Sequence, residues 1–165
     1  MAAAIAAFAA VRTNNATIAS QRVIELEKRL ATSRLDVFKP MLDGMAQMLE
    51  PSASPQVQAE RQAAMLPALK SFATWVQIYG SDESVRVFHH FMHAAYHTAP
   101  PEVFIRLYGQ FVLAARRDLG DSSTDVDLVD LLGIRLKDIY VGYADRLRLS
   151  DVDFYREVGW APPWQ

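Results

Sequence analysis

The chain has 165 residues, 51% of them hydrophobic, so its length and composition suit one domain with a full core. Its 17 basic and 19 acidic residues leave a net charge of −2, which disfavours a nucleic-acid partner. The chain contains no cysteine, which excludes disulfides, iron–sulfur clusters, thiolate zinc sites and thiol nucleophiles.

Strand patterns are nearly absent, because β-branched residues are scattered and no strict alternation lasts for five positions. We therefore predict an all-α fold, an irregular helical bundle around a central helix at about 102–119, with a long N-terminal helix. The predicted division is an Ala-rich N-terminal helical extension over 1–20, a bundle domain over 21–159, and a Pro/Trp tail over 160–165.

The first 50 residues permit one long helix, because proline first occurs at Pro40 and glycine at Gly44. Within it a weak heptad seam is formed by Ile5, Ala9, Arg12, Ala16, Ala19, Val23, Leu26, Leu30, Ser33 and Val37. Packing on its own domain, self-association and membrane proximity all remain open for this helix. The side chains that we expect to make an intermolecular contact are Ile5, Phe8, Val23, Leu26 and Leu30.

The apolar opening, residues 1–11, is too short to span a bilayer, which takes about 20 residues, and it lacks a basic flank. We predict neither a signal peptide nor a transmembrane helix. The predicted location is the cytoplasm, with peripheral membrane contact through the N-terminus left open.

Prolines, glycines and capping residues divide the rest of the chain. The predicted helices are 56–79 with a kink or break near Leu66, 82–99, 102–119, 124–132, 134–148, and a short last helix ending at Gly159. We expect Gly80 to end a helix in the left-handed conformation, and we expect helix caps at Ser81, at Thr124 with Asp127, and at Ser150 with Asp153.

The segment from Glu102 to Gly120 carries apolar residues over more than half of its helical circumference, which predicts a helix packed on several sides. A narrow polar strip on it, formed by Glu102, Arg106, Gln110 and Arg117, should face water. Basic residues near its end suit the helix dipole better than an anion site.

All four histidines lie in one predicted helix, where spacing of four places His89, His93 and His97 on one side. An HxxxH pair can bind a divalent metal, but one ion could take at most two of these three, with a third ligand from elsewhere. A solvated or interface face is the ordinary explanation of such a histidine row, and a pH-dependent contact is a further hypothesis. No other cofactor is predicted, and the common catalytic signatures are missing, so an enzymatic activity has no support.

Two motifs of the chain are the turn Trp75-Val-Gln-Ile-Tyr-Gly80-Ser81-Asp82-Glu83-Ser84-Val85 and the helix end Arg116-Arg117-Asp118-Leu119-Gly120. In both of them the chain resembles a family of bacterial and phage-associated all-helical proteins with no assigned activity. The resemblance covers about residues 20–140 and implies a long charged N-terminal helix ahead of both motifs. The Ala-rich start and the histidine-rich helix depart from the family's pattern.

The preferred functional interpretation is a non-catalytic interaction or scaffold module that self-associates through the N-terminal helix, so the expected partner is a second copy or another protein. Trp160 and Trp164 on the proline-rich tail are expected to dock on the parent domain or on a neighbour. Two alternatives remain open: a metal-binding enzyme or sensor that uses the histidine row, and a membrane-peripheral protein held through residues 1–11.

Overall fold

A computed structural model of the chain describes the backbone of residues 2–50 and 54–165 and the side chains of residues 20–47, 50, 54–61 and 63–165. Over these residues the chain forms seven α-helices and no strand, which confirms the all-α prediction. The helices are α1 Ala2–Leu49, α2 Pro55–Tyr79, α3 Asp82–Tyr96, α4 Pro101–Asp118, α5 Leu128–Gly133, α6 Ala144–Leu147 and α7 Asp151–Glu157.

The second half of α1 and the whole of α2 form an antiparallel pair. Residues near the end of α1 contact the start of α2, and earlier α1 residues contact its end, as shown by the pairs Gly44–Met65, Phe38–Phe72 and Arg34–Tyr79. Pro40 and Pro67 both lie inside uninterrupted helices, so the predicted break near Leu66 is not observed.

The helix α4 is the centre of the bundle, as predicted. Phe111 is buried in α4, with its ring centroid 5.7 Å from that of Phe38 in α1 and 5.1 Å from that of Phe72 in α2. Phe72 also meets Phe88 of α3 edge to face at 4.9 Å. These four rings join the first four helices into one core, because aromatic pairs in this geometry add to the free energy gained by burial.

A second cluster of buried side chains lies against the other end of α4. Val103 and Leu107 of α4 pack there with Phe154 and Tyr155 of α7. On a further side of α4, Gly109 lies so close to Leu128 of α5 that a Cβ atom on the glycine would come within 2.9 Å of that side chain. The central helix is therefore surrounded by α1, α2, α3, α5 and α7.

The helix ends show which local predictions were right. Ser81 caps α3 by accepting a hydrogen bond from the Ser84 amide, and Pro101 occupies the first turn of α4. The prediction for Gly80 was wrong: its φ of −79° is negative, so the residue is not left-handed, and its backbone is extended. Helix α3 ends at Tyr96 rather than at residue 99, and Thr98 just beyond it has a φ of 51°, outside the helical region.

The segment between α4 and α7 departs most from prediction. The predicted capping box at Thr124 is wrong: Asp127 caps α5 and pairs reciprocally with Asp130, while the Thr124 hydroxyl accepts a hydrogen bond from Arg116. Residues 134–143 form turns where we predicted one helix over 134–148, and the only helical part is the single turn of α6. Gly142 lies in that segment with a φ of 105°, a conformation outside the right-handed helical region.

Arg106 was wrongly placed on a strip open to water. Its side chain is 4% exposed and donates hydrogen bonds to the carbonyls of Arg146, Leu147 and Leu149 and to the carboxylate of Asp151. The guanidinium also lies 4.6 Å from the centre of the Phe154 ring. One arginine of the central helix thereby holds α6, α7 and the turn between them, with its charge paired and its donors used.

Candidate functional site

The histidine row lies on one side of α3, as its spacing predicted. The ring centroids of His89 and His93 are 4.3 Å apart, and those of His93 and His97 are 6.1 Å apart. His89 and His97 are exposed, and Tyr96 beside them is exposed as well. The row therefore forms an accessible edge of the bundle rather than a buried polar site.

Among the side chains that the structure describes, no group of three or more acidic or histidine residues is placed to hold a metal ion. The metal hypothesis required a third ligand from elsewhere to join an adjacent pair of His89, His93 and His97. With two imidazoles on one helix, water must complete the coordination of the ion. Such a site binds metal more weakly than a site with three or four protein ligands.

His90 makes a contact on this helix that the spacing of the histidines did not predict. Its ring stacks on Trp164 of the tail with a centroid distance of 4.3 Å and an interplanar angle of 6°. Burial lowers the pKa of His90 from its usual value, and the neighbouring His89 lowers it further, whereas Asp151 acts in the opposite direction. The neutral imidazole is thus favoured under the indole ring.

The tail, residues 160–165, docks on its own domain. Trp160 and Trp164 meet each other and also meet Tyr155 of α7 edge to face, at centroid distances between 5.4 and 6.1 Å. Pro162 between them is buried. Burial also raises the pKa of Tyr155 to about 12, with a further contribution from Asp151, so its hydroxyl stays protonated at physiological pH.

The two motifs behind the family resemblance meet in space and form what we call the polar junction: Arg34, Ser81, Glu83, Ser84, Arg117 and Asp118. The Asp118 carboxylate, which is 8% exposed, accepts a hydrogen bond of 2.7 Å from the Ser84 hydroxyl and one of 3.0 Å from the Ser81 amide. Arg117 pairs with Glu83. The turn before α3 and the end of α4 are therefore two halves of one structural unit.

Arg34 of α1 completes the polar junction from a third direction. Its Nε donates to the carbonyl of Tyr79 at 3.0 Å, and its Nη1 donates to the carbonyl of Asp118 at 2.9 Å. These are the last carbonyls of α2 and α4, which have no partner within their own helices. One guanidinium thus caps two helix ends and marks the level at which α1 leaves the bundle.

Beyond that level, α1 continues as an arm without neighbours among the described residues. Residues 20–32 are exposed throughout, and burial begins at Ser33. Of the predicted contact residues, Val23, Leu26 and Leu30 are 53%, 59% and 48% exposed. Ile5 and Phe8 lie outside the described side chains.

No helix within the described part of the chain is both long enough and apolar enough to cross a membrane. Comparisons of this chain with protein-family models, with curated proteins and with solved structures give no significant match.

Proposed function

We propose that the protein is a non-catalytic scaffold or interaction module whose N-terminal arm, residues 20–32, pairs with the arm of a second copy. The observation that carries the proposal is the exposure of three large aliphatic side chains at heptad spacing, Val23, Leu26 and Leu30, on a stretch of α1 that has no neighbour among the described residues. Spacing of three and four on one helix is the pattern of a two-stranded seam.

A second argument is that a helix without packing partners has little stability. Most helical stability in proteins comes from packing of one face, and helices without tertiary contacts are marginal even when they are rich in alanine. The 13 residues from 20 to 32 extend about 20 Å beyond the bundle at 1.5 Å per residue. A second arm along the seam supplies the packing that the bundle does not provide.

One pair of opposite charges within the arm favours a parallel pair in register. With Val23 and Leu30 at the first position of successive heptads and Leu26 at the fourth, Arg22 and Glu27 flank the seam on opposite sides. In a parallel dimer, a residue at the position of Arg22 lies beside the residue five places later in the partner helix. Arg22 of each copy would therefore lie beside Glu27 of the other.

The described part of the seam by itself supports only a weak dimer. Each of the three side chains is about half exposed, so its burial contributes about 1 kcal/mol, and six side chains from two copies contribute about 6 kcal/mol. Association costs about 4–15 kcal/mol in lost translational and rotational freedom. The gain and the cost are thus comparable, and one charge in the seam should be enough to shift the equilibrium to monomers.

The test is the solution mass of the wild-type chain and two variants, measured by sedimentation equilibrium over a range of protein concentrations. Leu26→Glu places a charge in the seam and should reduce the mass to that of one 18.5 kDa chain, while the wild type approaches twice that value. The matched control is Ile24→Glu, because Ile24 is 62% exposed on the same helix but lies outside the seam. A monomeric wild type, or equal loss of dimer in both variants, would overturn the proposal.

A further inference from the structure

A cavity of about 660 Å³ opens between the first four helices, on a side of the bundle away from the arm and the polar junction. Its wall is built mainly from aliphatic, aromatic and methionine side chains: Met45, Gln58, Met65, Phe91, Ala95, Ala99, Pro101, Phe104, Ile105 and Tyr108. The volume lies in the range of about 300–1,000 Å³ that is typical of small-molecule sites.

The cavity is partly open to solvent, and its lining residues differ in burial. Tyr108 in α4 is 8% exposed and belongs to the inner part of the wall, whereas Ala95 of α3 and Pro101 of α4 are exposed at its edge. Phe91 and Phe104 meet edge to face at 5.6 Å within the wall. A ligand entering between Ala95 and Pro101 would therefore lie against an aromatic surface.

The chemistry of the wall restricts the ligand. None of the described side chains in the wall is charged, and among them only Gln58 and Tyr108 carry polar side-chain atoms. A carboxylate or ammonium group inside this cavity would be removed from water without an opposite charge, which costs several kcal/mol. Met45 and Met65 add side chains that adapt readily to the shape of an apolar guest.

From these observations we propose that the cavity binds an uncharged, predominantly apolar small molecule, one per chain. The arm of a second copy fits this wall poorly, because the arm has charged residues such as Arg22 and Glu27 on both sides of its seam, and the described side chains of the wall offer them no opposite charge. The site is separate from the proposed dimer seam, so either proposal can fail without the other.

The probe for this site is N-phenyl-1-naphthylamine, a neutral fluorophore whose emission rises in apolar surroundings. We expect saturable binding of one probe per chain. Ala95→Trp puts an indole at the edge of the cavity and should weaken binding at least tenfold. Ala63→Trp is the matched control, since Ala63 is exposed on α2 and does not line the cavity, and its affinity should equal that of the wild type.

A second measurement on the unaltered chain covers the case in which Ala95→Trp disturbs folding. With ¹³C-methyl methionine, the methyl signals of Met45 and Met65 should shift as the probe is added, while the signal of buried Met41, outside the wall, should stay in place. Absence of saturable binding, or shifts that spare Met45 and Met65, would overturn the proposal. Binding lost in Leu26→Glu but kept in Ala95→Trp would also overturn it, because the probe would then report the arm.

Discussion

The polar junction offers the sharpest test of the fold, through the hydrogen bond between Asp118 and Ser84. Asp118→Ala removes the acceptor of two hydrogen bonds, and it leaves the Ser84 hydroxyl, which is 0% exposed, without that partner. Hydrogen bonds to a charged group contribute about 1.5–3 kcal/mol each, so the expected loss from two bonds is about 3–6 kcal/mol. That is a large share of the 5–15 kcal/mol by which a typical domain is stable.

A double-mutant cycle can divide the expected loss of stability between Ser84 and Asp118. Ser84→Ala alone should cost less than Asp118→Ala, because the carboxylate keeps its bond from the Ser81 amide. In the double variant no orphaned hydroxyl remains, so the two losses should not add, and the interaction free energy should be about 1–2 kcal/mol. The assay is urea unfolding followed by far-ultraviolet circular dichroism.

Asp125→Ala is the matched control, since Asp125 is an exposed carboxylate in the loop between α4 and α5. Its effect should stay within about 0.5 kcal/mol. A loss below about 1 kcal/mol for Asp118→Ala, or additive losses in the cycle, would refute the view that the two motifs form one unit.

Three further outcomes follow from the same contacts. Arg106→Lys should lower the free energy of unfolding by about 2–4 kcal/mol in urea, because an ammonium group cannot reproduce the guanidinium's bonds to three carbonyls and a carboxylate; an unchanged midpoint would contradict this. Burial lowers the pKa of His90 below 6.5, so the unfolded chain binds more protons near that pH and stability should fall as pH drops through about 6.5. His90→Gln should weaken that dependence in urea titrations at pH 8 and 5.5, whereas equal slopes for His90→Gln and a His97→Gln control would show that His90 is not its source. Arg22→Glu should weaken the dimer severalfold in sedimentation, and adding Glu27→Arg should restore it; no recovery would reject the parallel register.

Local chemistry made several helix ends predictable. A serine that can cap, a proline in the first turn and a glycine after the last turn act within four residues, so the boundaries at Ser81, Pro101 and Gly120 could be inferred from the letters alone. The central position of α4 was also predictable, because apolar residues around more than half of a helix require neighbours on several sides.

Contacts between distant residues were not predictable in the same way. The polar strip on α4 has the spacing of a solvated face, and only the approach of α6 and α7 turns Arg106 into a buried clamp. The histidine row was predicted from the spacing of its residues. The stacking of His90 on Trp164 was not, because it depends on where the tail, 74 residues after His90, folds back. The prediction of one helix over 134–148 did not take account of Gly142, whose positive φ does not fit a continuous right-handed helix.

The polar junction shows most clearly which contacts could not be predicted from the sequence. Each motif was explained by its own local role, one as a helix cap and the other as a helix end. Their meeting through Ser84 and Asp118, 34 residues apart, depends on the packing of α3 against α4. Nothing within either motif predicts a contact over that separation, although a serine in the first motif and an aspartate in the second are natural hydrogen-bond partners.

Self-association through the arm is tested most directly by a distance between two copies. The chain has no cysteine, so Lys28→Cys gives one spin-label site per chain, on an exposed position of α1 opposite the seam. Two adjacent helices are each about 10–12 Å across, so a parallel dimer should give a dipolar distance on the order of 30 Å. A sample without dipolar modulation at concentrations where the dimer is expected would contradict the account.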